Sequence, residues 1–125
     1  MATRSTIALE FADGTVQQIY CHWDGYLSGV GSQLATDYMD PFKLRDLINE
    51  GDTSSIGSPY SERGEECPAR KYKDIAEYFA DCQQEEYDYI LRNVNGVATW
   101  FVRFYATDGE WITMADARLK EQEYA

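Results

Sequence analysis

The amino-acid sequence predicts an α+β domain: an antiparallel sheet of about five strands, from N-terminal and C-terminal hairpins, with about three helices packed on one face. Three observations lead there. Alternating apolar runs flank Asp-Gly and Asn-Gly turn dipeptides at both ends of the chain. Helical spacing of apolar residues fills the middle. The order is strands, helices, loop, helix, strands, which is not the regular alternation of a doubly wound sheet.

At 125 residues the chain can bury one core but not two, so it is read as a single domain, 1–125. Apolar residues make up 44% and aromatics 14%, enough to fold without metal or disulfide and too much for a disordered chain.

The first strand alternates, with Ile7, Leu9 and Phe11 on one face, and Asp13-Gly14 supplies a two-residue turn into a strand from Thr15 to about Trp23. That turn sets a register of Phe11 with Val16, Leu9 with Gln18, Ile7 with Tyr20 and Ser5 with His22. On the other face it sets Ala8 with Ile19, Thr6 with Cys21 and Arg4 with Trp23, the last pair placed for a cation–π contact. Val30, Leu34 and Tyr38 predict a short helix over 30–39. Asp40 as N-cap, Pro41 as first helical residue, the stripe Leu44, Leu47 and Ile48, and Gly51 as a left-handed stop predict a second.

From about 52 to 70 the composition turns to Ser, Gly, Pro, Glu and Arg, and a long irregular loop is expected, whether lid, interface segment or mobile insert. Ile75, Tyr78, Phe79 and Cys82 then mark an amphipathic helix from about 73 to 84, with Glu77, Asp81, Gln84 and Glu85 on its solvated face. In the C-terminal hairpin, Asn95-Gly96 suits a type I′ turn that aligns Tyr87 with Phe104, Tyr89 with Val102 and Leu91 with Trp100 on the core face. The opposite face pairs Asp88 with Arg103, Ile90 with Phe101 and Arg92 with Thr99, so unlike charges meet across the strands. Asp108-Gly109 turns into a last strand over 110–113, and 115–123 reads as a terminal helix or tail.

Eleven Lys and Arg stand against 22 Asp and Glu, a formal net charge of −11. Such a field repels phosphate backbones and anionic lipid heads, so nucleic acid and membrane are poor partners and a basic protein surface is a better one. Solubility alone also accounts for acidity of this size. Cys21, Cys67 and Cys82 are odd in number without C-x-x-C spacing, and the first residues lack the apolar stretch of a signal peptide, so reduced thiols in the cytoplasm are expected. No apolar run approaches the roughly 20 residues of a membrane helix.

One cluster stands out from the composition: Tyr20-Cys21-His22-Trp23-Asp24-Gly25-Tyr26 holds the single His, a Trp, two Tyr, a Cys and an Asp. With Arg4 and Ser5 across from it, the candidate ligand-binding residues are Arg4, Ser5, Tyr20, His22, Trp23, Asp24 and Tyr26. Flat rings, one guanidinium, a hydroxyl and an imidazole suit a small ligand with a ring and a phosphate or carboxylate. Aromatic packing at a sheet corner is the competing explanation. Cys21 and His22 are adjacent on a strand and point to opposite faces, and no second ligand pair completes a tetrahedron, so neither a metal nor a cofactor is implied. No catalytic residue is assigned, because no nucleophile is placed by a recognisable elbow beside His22 and Asp24. Gly29-Val30-Gly31 lacks the glycine pattern of a dinucleotide site, though its amides suit one anionic group. Arg63, Arg70, Lys71 and Lys73 either converge on an anion or balance Glu65 and Glu66.

The block Ala2-Thr3-Arg4-Ser5-Thr6-Ile7-Ala8-Leu9-Glu10, followed by Ile19-Tyr20-Cys21-His22-Trp23-Asp24-Gly25-Tyr26, resembles a family of small uncharacterised tailed-bacteriophage proteins, and Glu86-Tyr87-Asp88-Tyr89-Ile90 is similar too. The resemblance implies a context, an accessory protein made in an infected bacterium, and within that context non-catalytic binding directed against host defence is expected. Two jobs fit. One is sequestration of a nucleotide-derived immune signal by the aromatic and Arg4 cluster, in a homo-oligomer. The other is inhibition of a host defence protein by an acidic face that imitates nucleic acid, in the manner of anti-CRISPR and anti-restriction proteins. Mimicry needs acidic residues only and leaves the cluster unused, so sequestration stands first.

Overall fold

The computed structural model describes residues 2–123. Six strands, β1 (Ser5–Glu10), β2 (Val16–Cys21), β3 (Arg70–Tyr72), β4 (Tyr87–Val94), β5 (Val97–Arg103) and β6 (Ile112–Thr113), form one sheet in the order β3-β2-β1-β4-β5-β6. The fold is α+β, but the sheet is mixed: β1 runs parallel to β4, with Ser5 beside Tyr87 and Leu9 beside Leu91. This corrects the expectation of a smaller, purely antiparallel sheet. The reason lies in Ile7-Ala8-Leu9 and Tyr89-Ile90-Leu91, all buried. Strands apolar on both faces belong in the interior of a sheet, so β1 and β4 become neighbours there, and the long connection between them allows a parallel pairing.

A π-helical turn, Leu27–Gly31, leads into α1 (Ser32–Asp37), followed by α2 (Pro41–Asn49), α3 (Ile75–Asp81) and α4 (Met114–Glu123). Leu34 of α1, Leu44, Leu47 and Ile48 of α2, and Met114 and Ala117 of α4 cover one face of the sheet around Ile7, Leu9, Ile19, Tyr89 and Leu91. The other face carries its own apolar patch of Ala8, Val16 and Ile90, and α3 covers it with Tyr78, followed by Cys82. Packing of all the helices on one face is therefore corrected as well. A patch of this kind left in water would forfeit the burial free energy of each side chain, ~1.5–3 kcal/mol for a residue the size of Val or Ile.

Asp40 caps α2 by accepting from the Phe42 amide at 2.9 Å, and Gly51 at φ +80° ends the turn after it. Asp74 caps α3 through the Glu77 amide at 2.8 Å. That signature, an Asp followed three residues later by Glu, marks the start more sharply than apolar spacing does.

The C-terminal hairpin has the expected register, Asp88 with Arg103, Tyr89 with Val102, Leu91 with Trp100 and Arg92 with Thr99, around Asn95-Gly96. The N-terminal hairpin does not. Its pairs are Ser5 with Cys21, Ile7 with Ile19 and Glu10 with Val16, one residue away from expectation. The Phe11 amide donates to the Thr15 carbonyl and the Gly14 amide to the Phe11 carbonyl, at 2.8 and 2.9 Å, so Ala12, Asp13 and Gly14 form a three-residue loop. Gly14 takes the left-handed position at φ +90°. A shift of one residue exchanges the faces of a strand, and this register is the one that puts Ile7 and Ile19 together in the core.

The segment expected as an irregular loop over 52–70 is tied to the sheet at its two ends. The Thr53 amide donates to the Tyr20 carbonyl and the His22 amide to the Thr53 carbonyl, so residue 53 extends the sheet beside the end of β2. The Asp52 amide reaches the Cys67 carbonyl at 2.8 Å, and Arg70 opens β3. Among the described residues no helix is long and apolar enough to cross a membrane.

Candidate functional site

The candidate residues lie where β2 ends. Asp24 adopts a left-handed conformation at φ 59° and turns the chain back beside β1. Gly25 then sits directly against that strand, its amide donating to the Thr3 carbonyl at 2.8 Å and its carbonyl accepting from the Tyr89 hydroxyl at 2.7 Å. A Cβ at residue 25 would stand 2.8 Å from both the Ser5 Cβ and the Thr3 carbonyl oxygen, so only glycine fits. The backbone of Trp23 is fixed by its amide bond to the Ser54 carbonyl, 3.0 Å.

These constraints divide the seven candidates into three groups. Trp23, Asp24 and Tyr26 line a groove of about 310 Å³, completed by Gln33, Ser55 and Ile56. Trp23 is 45% exposed and Tyr26 38%, large rings held at the surface. The Tyr26 hydroxyl donates to Asp24 Oδ1 at 3.2 Å, which raises the tyrosine pKa.

The second group is Arg4, Tyr20 and His22. The Tyr20 hydroxyl and His22 Nδ1 are 2.6 Å apart, and Arg4 lies within electrostatic reach of that hydroxyl, opposing the burial that raises its pKa. The His22 ring meets Trp23 edge-on, with centroids 4.8 Å apart, and so joins the two groups. The expected stacking of Arg4 on Trp23 depended on the displaced register and is corrected: among the described residues the cations that lie over rings do so elsewhere.

Ser5 stands alone. It faces Cys21 rather than His22, is fully buried, and its hydroxyl lies against the Cys21 thiol. It lies beneath Gly25 and is not part of the lining of the groove beside Trp23. Burial pushes the neighbouring Cys21 thiol up to about 11, the opposite of what a nucleophile needs.

Two other expectations change. The Gly29, Val30 and Gly31 amides are taken by the Tyr26, Asp24 and Tyr26 carbonyls, so they are not free for an anion. The cationic cluster does not converge either. Arg70 pairs with Asp52 at 2.7 Å, and Arg63 lies over Tyr60 with its guanidinium carbon 5.7 Å from the ring centre.

Asp52 matters more than its place in a presumed loop suggested. Its Oδ1 accepts from the Tyr20 amide at 2.8 Å as well as from Arg70, and so anchors the segment that brings Ser55 and Ile56 to the groove. A Gly-Asp pair directly after a helix, with an Arg eighteen residues on, is a clue visible only once the fold is known. Compared with protein-family models, with curated protein sequences and with solved structures, the chain matches none.

Proposed function

We propose that the protein acts in the cytoplasm of a phage-infected bacterium by binding a small nucleotide-derived signal without altering it, and so withholds that signal from host defence. The observation that carries this reading is the pair of exposed rings, Trp23 and Tyr26, with Asp24 between them around one groove. Its volume, about 310 Å³, is at the small end of ligand sites and suits a single base. A base stacks on an aromatic face whatever its sequence identity, at ~1–3 kcal/mol per base. Asp24 supplies an acceptor for ring or ribose donors. The phosphate end would run past His22 to Arg4, the nearest cation in the cluster.

Calorimetric titration with cyclic nucleotides and ADP-ribose derivatives tests this. Binding lost in Trp23→Ala and weakened in Arg4→Ala, with unfolding temperatures unchanged, is the expected result. Absence of binding across the series sinks the proposal.

A second reading rests on the net charge of −11: inhibition of a nucleic-acid-binding defence protein by an acidic face. It expects a salt-sensitive complex in pull-downs from host lysate, released by reversing Glu77 and Asp81 on α3. A complex indifferent to those reversals counts against it.

A further inference from the structure

A separate and larger groove, about 760 Å³, opens at the end of the sheet where the parallel strands β1 and β4 both finish and both hairpins turn. Its walls are Leu9 and Phe11 from β1 and its turn, Pro41, Phe42 and Arg45 from α2, and Asn93 from β4. None of the candidates around Trp23 contributes to it. Carboxyl ends of neighbouring parallel strands are a recurrent position for ligand crevices.

The side chains there are unusual for this protein. Phe42 is 68% exposed, off the stripe of Leu44, Leu47 and Ile48 that α2 buries. Arg45 holds its guanidinium carbon 5.3 Å from the centre of the Phe42 ring. Arg70, Arg92 and Arg103 each have a carboxylate within 3.3 Å, whereas the carboxylate that Arg45 reaches among the described residues is that of the adjacent Asp46, at 3.9 Å between two exposed side chains. Such a contact is worth little. Glu10, the acidic group of the lining, is already held by Arg92 at 3.0 Å. Asn93 accepts the Gly96 amide with its oxygen, which leaves its NH₂ to donate. The groove thus combines apolar walls with the Asn93 amide donor and one weakly engaged positive charge, that of Arg45, inside a strongly acidic molecule.

We propose that this groove binds a small amphipathic anion, an apolar chain or ring ending in a single carboxylate. The apolar part lies between Phe11 and Phe42, and the carboxylate pairs with Arg45, whose fork of N–H donors matches it. One guanidinium beside a paired Glu10 suits one negative charge and disfavours a polyphosphate.

Backbone-amide NMR titration of the whole protein with octanoate, octanol and octylamine at constant ionic strength tests the assignment. Octanoate is expected to shift the amides of Phe11, Phe42 and Arg45 and to bind about tenfold more tightly than octanol. Arg45→Gln should erase that preference while octanol binding stays, Phe42→Ala should weaken both, and Trp23→Ala should change neither. Because nucleotide binding at Trp23 should survive Arg45→Gln, failure of either site is distinguishable from failure of the other. Equal binding of octanol and octanoate, shifts elsewhere, or no saturation at millimolar octanoate overturns the proposal. So does a self-associated protein that Phe42→Ala converts to monomer, since the occupant would then be a second copy.

Discussion

A Cβ at Gly25 would meet two atoms closer than any Cβ tolerates, one on Ser5 of β1, a strand at the centre of the sheet, and one on Thr3 just before that strand. Gly25→Ala must therefore move backbone, and a loss of about 1–3 kcal/mol in denaturant-measured stability is expected, with Trp23 fluorescence altered as the turn shifts. Asp88 is the other residue whose setting decides its behaviour. It is 1% exposed and accepts from Thr6 at 2.6 Å, from the Glu85 amide and from Arg103 at 3.3 Å. Burial still dominates and raises its pKa above the usual aspartate value. Between the unfolded and the native pKa, the native chain holds a proton that the unfolded chain has released. The contribution of Asp88 to stability is therefore complete below the unfolded-state pKa and is lost as pH rises through the native one. Carboxyl-carbon NMR should place its midpoint above that of an exposed aspartate, and Asp88→Asn should flatten stability against pH just above the ordinary carboxylate range. A midpoint at or below the ordinary value would refute this. Ser5 and Cys21 show why residue-level reading of the site was incomplete: alternation told that neighbours diverge, but not which of them a glycine contact would seal from solvent.

The two hairpins show what short sequence signals can and cannot specify. Asn95-Gly96, with Asn95 at φ 52° and Gly96 at φ 86°, forms the two-residue turn its composition suits, and the expected pairs follow as far as Asp88 with Arg103. Asp13-Gly14 carries an equally good dipeptide yet turns with three residues, because core pairing of Ile7 with Ile19 outweighs the local preference. Deleting Ala12 should leave Asp13-Gly14 as a two-residue loop with Phe11 still opposite Thr15. Stability within about 1 kcal/mol of the parent and unchanged Ile7–Ile19 contacts in NMR are expected. Slippage or unfolding of the deletion variant would show that the longer loop is required. Helices α1 and α2 were legible from spacing and caps. The strand Arg70–Tyr72 was not, since a three-residue edge strand has too few residues to show a period. The groove residues Ser55 and Ile56 were hidden for a related reason: their position depends on Asp52 binding the Tyr20 amide from thirty-two residues away.

At the scale of the molecule, acidity and topology act separately. A net charge of −11 on a chain of this size destabilises the compact state by self-repulsion, while the four cation–carboxylate pairs among the described residues oppose it. The excess charge outweighs the pairs, so adding salt from low to moderate ionic strength should raise the unfolding temperature. A fall would mean that the pairs dominate. The fold class was legible because strand and helix signals were strong and their order was irregular. The parallel pairing was not, because periodicity within a strand says nothing of which distant strand lies beside it.

That pairing also orders events in time. Thr6 meets Asp88 across a separation of 82 residues, and β1 has no neighbour on that side until β4 exists. While the ribosome is still making the intervening chain, the N-terminal hairpin carries an open edge of apolar backbone. Collapse onto the finished sheet must wait until β4 has been made, and closing so long a loop slows it further. A nascent chain stopped short of Tyr87 is thus a substrate for chaperones and for aggregation rather than a smaller version of the protein.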